Sequence, residues 1–244
     1  MSIDLNCDLG EGAGHDDAVM PLITSANIAC GGHAGDRATM AAAVAAARRH
    51  GVGIGAHPGY EDRAGFGRIE HPITPAEAGA LVRRQIAALA EVAGADLRHV
   101  KLHGALYNLV GRDRTLAHAV AEALAKNWPR LAVFAPAASC FAAAAQAAGL
   151  VVAEEVFADR SYRGDGTLTP RDRPGALITD EEAAVRQVLG LVQKGEAIAL
   201  DGTRCRLRAD TVCLHGDSPC VVEFAVRLRR ELASAGIAVK PFRA

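Results

Sequence analysis

Ala-rich stretches with apolar positions at helical spacing recur along the chain, each closing on glycine and followed by a short β-branched run. HGVGIGAH follows a helix predicted over 36–50, AGADLRHVKLHG one over 75–93, AGLVVAEEVF one over 137–148, and AGIAVKPF one over 219–235. Gly51, Gly94, Gly149 and Gly236 sit where a helix end calls for a left-handed residue. The apolar runs predict strands at 2–7, 26–30, 52–57, 98–103, 131–136, 151–157 and 211–215, with a further candidate at 237–241. Helix, glycine, strand as a repeating unit argues for βα units on a parallel sheet. Seven or eight such units in succession favour a closed, TIM-like β/α barrel over an open sheet. The span 160–210 interrupts the cadence: SYRGDGTLTPRDRPG reads as a long polar loop, and strand character near 197–201 is weak. No low-complexity linker divides the chain, so 1–244 is expected to form a single domain.

Composition narrows the function classes. Half of the 244 residues are hydrophobic but only 4% are aromatic, the mix expected of aliphatic helices packed on a parallel sheet. A formal net charge of −1 supplies no long-range field for polyanions, so neither nucleic acid nor a membrane surface is an expected partner. Charged residues interrupt every Ala-rich run before it reaches the roughly 18 apolar residues of a membrane span. The opening MSIDLNCDLGEG places Asp4 and Asp8 where a secretion signal needs an apolar core, so a cytoplasmic protein is expected. The six cysteines include no C-x-x-C pair, and they read as small core hydrophobes.

In parallel α/β folds chemistry collects at the C-terminal ends of the strands. Those ends carry Asn6, Asp8 and Glu11 after the first strand; Asn27, His33 and Asp36 after the second; and His57, Asp62 and Arg68 after the third. The fourth gives Lys101, His103, Tyr107 and Asn108; the sixth Glu155, Asp159 and Arg160; the last His215 and Asp217. Four of the nine histidines thus fall just past a strand on one predicted face. Two of them sit in near-identical endings, KLHG and CLHG, where Gly104 and Gly216 would let a ligand or a neighbouring backbone come close. Asp8, Glu11, His33, His57, His103 and His215 are therefore the candidate catalytic groups. Asn6, Asn27, Asp36, Lys101, Tyr107, Asn108, Asp159, Arg160 and Asp217 are candidates for holding substrate.

Several of these residues also have simpler readings. Asp36 and Asp217 each precede a predicted helix and suit an N-cap as well as a site. Glu155 and Lys101 fit one buried ion pair. His50, His99 and His118 read as surface or packing residues; His99, ahead of His103 on its strand, is expected to point to the opposite end of the barrel. No G-x-G-x-x-G, G-x-x-x-x-G-K-[ST] or G-x-S-x-G occurs, which leaves GGHAGD, with its helix N-terminus, as a weak anion cradle.

Together the motifs resemble the LamB/YcsF family. The matching stretches are IDLNCDLGEG, SANIACGGHAGD, IGAHPGYEDRAGFGR, HVKLHGALYN, EEVFADRSY, DGTLTPR, GALI and TVCLHGD, in order over residues 3–217. Leu102 and Glu61 stand where the family commonly has proline. The resemblance implies a β/α barrel of the glycoside hydrolase/deacetylase type, often drawn with seven strands. It also implies the activity of a bacterial 5-oxoprolinase, of which this family supplies the A component. That enzyme opens 5-oxo-L-proline to L-glutamate with ATP as co-substrate, and the A component works together with subunits B and C. A carboxylate such as Asp8 or Glu11 would orient or deprotonate water, a histidine would protonate the leaving nitrogen, and Arg160 or Lys101 would hold the substrate carboxylate or a phosphate.

Two other readings stay open. One is a metal-dependent, deacetylase-like amide hydrolase, with Asp8, His57 and His103 as ligands if a divalent metal is bound. No H-x-x-x-H or C-x-x-C spacing supports it, so a tightly bound metal is not expected to be required. The other is a non-catalytic binding or regulatory subunit.

Overall fold

The computed structural model describes residues 1–216 and 220–242. Ten strands occur among them: β1 (Ser2–Leu9), β2 (Ser25–Ala29), β3 (Gly53–His57), β4 (Leu97–Lys101), β5 (Ala132–Pro136), β6 (Val152–Phe157), β7 (Glu196–Ile198), β8 (Arg204–Arg206), β9 (Thr211–Leu214) and β10 (Ala238–Val239). Strands β1 to β6 pair in sequence, all parallel, and β9 pairs with both β6 and β1. The sheet is therefore a closed barrel of seven strands. The eighth candidate is a two-residue addition: β10 joins only Ser2 and Ile3 at the start of β1. Within 160–210, β7 and β8 form a small antiparallel hairpin apart from the barrel.

Eight α-helices occur among the described residues: α1 (Asp16–Val19), α2 (Arg37–His50), α3 (Pro75–Ala93), α4 (Gly104–Arg112), α5 (Arg114–Asn127), α6 (Cys140–Ala147), α7 (Glu181–Lys194) and α8 (Val221–Ser234). Local chemistry fixes their ends. Thr74 and Glu77 form a reciprocal capping box around Pro75, which occupies the first turn of α3. Gly51, Gly149 and Gly236 take the expected positive φ after their helices. None of the described helices is long and apolar enough to cross a membrane.

What sets this barrel apart is its interior. Alternate residues of β1, Leu5, Cys7 and Leu9, join the apolar layer between sheet and helices, while Asp4, Asn6 and Asp8 make hydrogen bonds across the lumen. A lumen of this kind must satisfy its own polar groups, because burying them unpaired costs several kcal/mol each. It does so in layers. Asp4 accepts from Thr24, Ser25, Thr211 and the Phe242 amide. Above it Asn6 donates to Glu155 and Thr211, and Asn27 donates to Asn6 and Asp8. The uppermost layer opens at the C-terminal ends of the strands.

Candidate active site

Three histidines and two carboxylates crowd one side of the barrel mouth, and their hydrogen bonds fix which ring nitrogens carry protons. His57 Nδ1 lies 2.9 Å from the Lys101 carbonyl, and His103 Nε2 lies 2.9 Å from the Phe66 carbonyl. A carbonyl only accepts, so those two nitrogens donate. The other nitrogens, His57 Nε2 and His103 Nδ1, then face one another at 2.9 Å. Asp8 Oδ2 lies 3.3 Å from His57 Nε2, and Glu11 Oε1 lies 3.4 Å from His103 Nδ1 and 2.9 Å from His33 Nε2. Neutral imidazoles would aim two lone pairs and two carboxylates at one point. Such a set demands a proton or a cation.

Without a cation, the proton belongs on His57. Burial opposes its charged form, but the Asp8 carboxylate, with Glu11 behind it, raises its pKa above the ordinary value. Burial, with the charges of His57 and His33, holds His103 well below the ordinary range, and burial also lowers His33. His33 stacks on His103 with ring centres 3.6 Å apart, and its buried Nδ1 has no hydrogen-bond partner. One ligand atom each from Glu11, His33, His57 and His103 lies within 4.8 Å of the others, so the cluster can hold a metal ion.

Lys101 closes the lumen beneath this cluster. Its ammonium lies 2.9 Å from Asp8 Oδ1, 2.9 Å from Glu155 Oε1 and 2.9 Å from Cys213 Sγ. Burial disfavours its charge, yet Asp8, Cys213 and Glu155 outweigh burial and hold it protonated. Glu155 is also bound by the Tyr107 hydroxyl at 2.6 Å. The buried ion pair expected of Lys101 and Glu155 is present, joined by Asp8.

On another wall stands a second pair. His215 Nδ1 donates to both oxygens of Asp159, at 2.7 and 2.8 Å, so its Nε2 is turned away from the carboxylate. Burial opposes ionisation of Asp159, but His215 keeps its pKa low. The imidazole stacks on Phe157 and lines the same cavity as Asp8, Glu11, His57 and His103. That cavity measures about 840 Å³. The glycines beside the two histidines admit backbone: a Cβ on Gly216 would lie 2.3 Å from the Asp8 carbonyl, and one on Gly104, with φ +56°, would lie 2.5 Å from that of Gly67.

The other predicted site residues divide. Lys101, Tyr107, Asn108 and Arg160 line the cavity, whereas His33, Asn6, Asn27 and Asp159 stand behind residues that do. Asp36 is exposed and does not line the cavity; its carboxylate caps α2 through the Thr39 amide, so the capping reading holds. The same cap fills the helix N-terminus of the proposed GGHAGD anion cradle. Asp217 lies outside the described residues. Leu102 is buried on the cavity wall, and Glu61 pairs with Arg84 at the surface.

His99 corrects the sequence reading. Strand β4 begins at Leu97, so His99 shares the inward face with Lys101 two residues on. It is 2% exposed, stacks on Phe134 and donates from Nε2 to Asn27 Oδ1 at 2.9 Å. Sequence reasoning also missed most of one wall. Arg163, Asp165, Thr167 and Arg171, from the polar loop taken as a break in the pattern, line the cavity.

Known proteins place this arrangement in a lineage. The profile of the LamB/YcsF family matches residues 3–244. A protein of Bordetella pertussis named as the A component of 5-oxoprolinase is 51% identical over 98% of both chains. The crystal structure of a "lactam utilization protein" from Thermus thermophilus shares 43% identity, with TM-score 0.91, over 99% of this chain and 100% of that one. A family 4 carbohydrate esterase from Streptomyces lividans has the same fold at 14% identity, with TM-score 0.54 over 98% of this chain and 91% of that one. The chain belongs to the LamB/YcsF family.

Proposed function

We propose that this chain opens the ring of 5-oxo-L-proline to L-glutamate as one component of an ATP-dependent 5-oxoprolinase. One observation carries the reading. A proton-accepting group of carboxylates and imidazoles and, separately, His215 held by Asp159 face one cavity of about 840 Å³. Lactam hydrolysis needs both functions. Water must lose a proton as its oxygen bonds to the ring carbonyl carbon, and the ring nitrogen must gain one as its bond to that carbon breaks.

The residues divide accordingly. Glu11, held by His33 and next to His57 and His103, receives the proton of the attacking water. His215, oriented and supported as an imidazolium by Asp159, delivers a proton to the leaving nitrogen. His57 and Lys101 keep Asp8 ionised against its burial, and Lys101 holds it in place. A divalent ion would be held by Glu11, His33, His57 and His103, with Asp8 adjoining His57, and would supply Lewis-acid polarisation.

The sequence carries neither G-x-G-x-x-G nor G-x-x-x-x-G-K-[ST], so the coupling to ATP falls largely to partner chains or to an unfamiliar loop of this chain. The cavity is larger than a five-membered lactam requires, which leaves room for an activating phosphoryl group on the ring oxygen. The names of the relatives support a lactam substrate and a multi-component setting.

The test is glutamate release from 5-oxo-L-proline. The isolated chain is expected to form little product with or without ATP, and to gain activity when its partner chains are added. Strong turnover by this chain alone would instead favour a self-sufficient metal-dependent amide hydrolase, the reading for which the Glu11, His33, His57 and His103 cluster speaks. Full activity of the complex after substitution of both His103 and His215 would leave only a binding role.

A further inference from the structure

Arg160 is a buried cation without a carboxylate. It follows β6, is 4% exposed, and lines the cavity. Its guanidinium donates from Nε to the Ala176 carbonyl at 3.3 Å and from Nη2 to the Thr169 carbonyl at 2.6 Å. Both acceptors are neutral, and among the described residues no carboxylate lies within 4.0 Å of it. The adjacent Asp159 is committed to His215 through both oxygens. Burying a guanidinium with no carboxylate in contact is costly, and the cost shows: burial, with Arg171 next, pushes its pKa down to about 10 although the nearby Asp159 charge opposes the fall. Arg171 lines the same cavity.

The cavity's other buried cation is differently placed. Lys101 spends its ammonium on Asp8, Glu155 and Cys213 and has none left for a ligand. The choice between Lys101 and Arg160 as the anion-binding group is thereby resolved. We infer that Arg160 binds the carboxylate of the substrate, and that it restricts the site to lactams bearing an acid group.

Planarity suits this role. The two backbone carbonyls fix the guanidinium in the wall and leave N–H donors over, and a fixed guanidinium meets a carboxylate through paired hydrogen bonds. The anion completes the neutralisation that the protein itself omits. A neutral lactam of the same ring would leave Arg160 buried and uncompensated, and so would be rejected. The inference rests on the lactam-opening reading above, but its test is separable from that reading.

Binding to the full chain is measured by calorimetry for 5-oxo-L-proline, 2-pyrrolidinone and inorganic phosphate, for the native protein, Arg160→Gln and Arg160→Lys. The native chain is expected to prefer 5-oxo-L-proline over the neutral lactam by about 10²-fold or more. Arg160→Gln should erase that preference by weakening the acid about 10²-fold, while 2-pyrrolidinone changes by less than about 3-fold. Arg160→Lys should recover part of it. If Arg160 serves only to pin its loop, the substitutions will weaken both lactams together, and the inference falls. It falls also if the native chain shows no preference for the acid. If only phosphate binding depends on Arg160, the position belongs to a phosphoryl group and the carboxylate assignment is wrong. Should Arg160→Gln fail to fold, the same ratio in Arg160→Lys decides. Glutamate formation by the full complex, followed in parallel, keeps the two readings apart. Turnover with an unchanged ratio in the variants sinks the carboxylate site alone, whereas an Arg160-dependent ratio without turnover sinks the proposed reaction alone.

Discussion

His57 Nε2 and His103 Nδ1 lie 2.9 Å apart while the opposite nitrogen of each ring donates to a backbone carbonyl. Two acceptors pressed together in this way are stable only around a shared proton or a cation. The carbonyls of Lys101 and Phe66 impose the arrangement, much as outer partners orient metal-binding histidines. Phe66 holds φ +54°, in the left-handed region that a bulky residue rarely enters, to present its carbonyl there. Calorimetric titration with Zn²⁺ or Mn²⁺ is expected to give one ion per chain. His57→Ala should weaken that binding by at least about 10²-fold. Failure of either ion to bind the native chain would assign the position to a proton alone.

His215 and Asp159 act as a unit. His215→Ala is expected to lower glutamate formation by the complex about 10²-fold or more, and His103→Ala by a similar factor, since each removes a positioned proton-transfer or ligand group. Asp159→Asn should act mainly on kcat, because the amide keeps the ring roughly in place but does not support the imidazolium. Circular dichroism and thermal melting of each variant should match the native chain, because both histidines stand past the ends of their strands. A collapse of the fold in both would make them structural.

Asp36 offers the contrasting case. Its side chain accepts from the Thr39 amide in an exposed capping box and does not line the cavity. Asp36→Ala should therefore lower the urea midpoint slightly, through loss of the cap. It should leave the kcat and KM of the complex unchanged, and a loss of activity without loss of stability would return Asp36 to the site.

Legibility in the sequence followed the strength of local signals. Helix α3 was readable to the residue because Thr74, Pro75, Glu77 and a long apolar stripe agree. The seven barrel strands were readable because glycine and β-branched runs recur at the same point of each unit. Helix α7 went unmarked because it follows a polar loop whose composition masks the cadence. The members of the histidine and carboxylate cluster were all named from the strand ends, yet its metal-holding geometry has no spacing signature. Its members come from four different strands, with Glu11 after β1, His33 after β2, His57 at the end of β3 and His103 after β4. Arg163 and Arg171 were hidden because a loop's wall-building role depends on how it folds back, which no periodicity records.

His99 is where the sequence reading and the structure part most sharply, and the difference has a measurable consequence. The imidazole lies in the barrel lumen, donates to Asn27, and passes so close to β3 that a Cβ on Gly55 would lie 2.0 Å from its Nε2. Asn27 in turn donates to Asp8, so His99 sets the amide that orients a site carboxylate. Burial, with the charges of Lys101 and His57, drives its pKa down to about 3, against 6.5 for the ordinary side chain. The folded value is depressed, so the unfolded chain takes up the proton first. Stability from the neutral form is complete above pH 6.5 and is lost as pH falls below it, at about 1.4 kcal/mol per pH unit, until the folded pKa is reached. His99→Gln can retain the donor to Asn27 and removes this proton. Between pH 7 and pH 5 the native chain should therefore lose about 2 kcal/mol more than His99→Gln in urea unfolding. His99→Ala, which leaves a cavity and an unpaired Asn27 oxygen, should cost about 2–4 kcal/mol at pH 7 and reduce turnover as well. Parallel stability profiles for the native chain and His99→Gln would mean that His99 takes up its proton in the folded barrel as readily as in the unfolded chain, and that its burial does not depress the folded pKa.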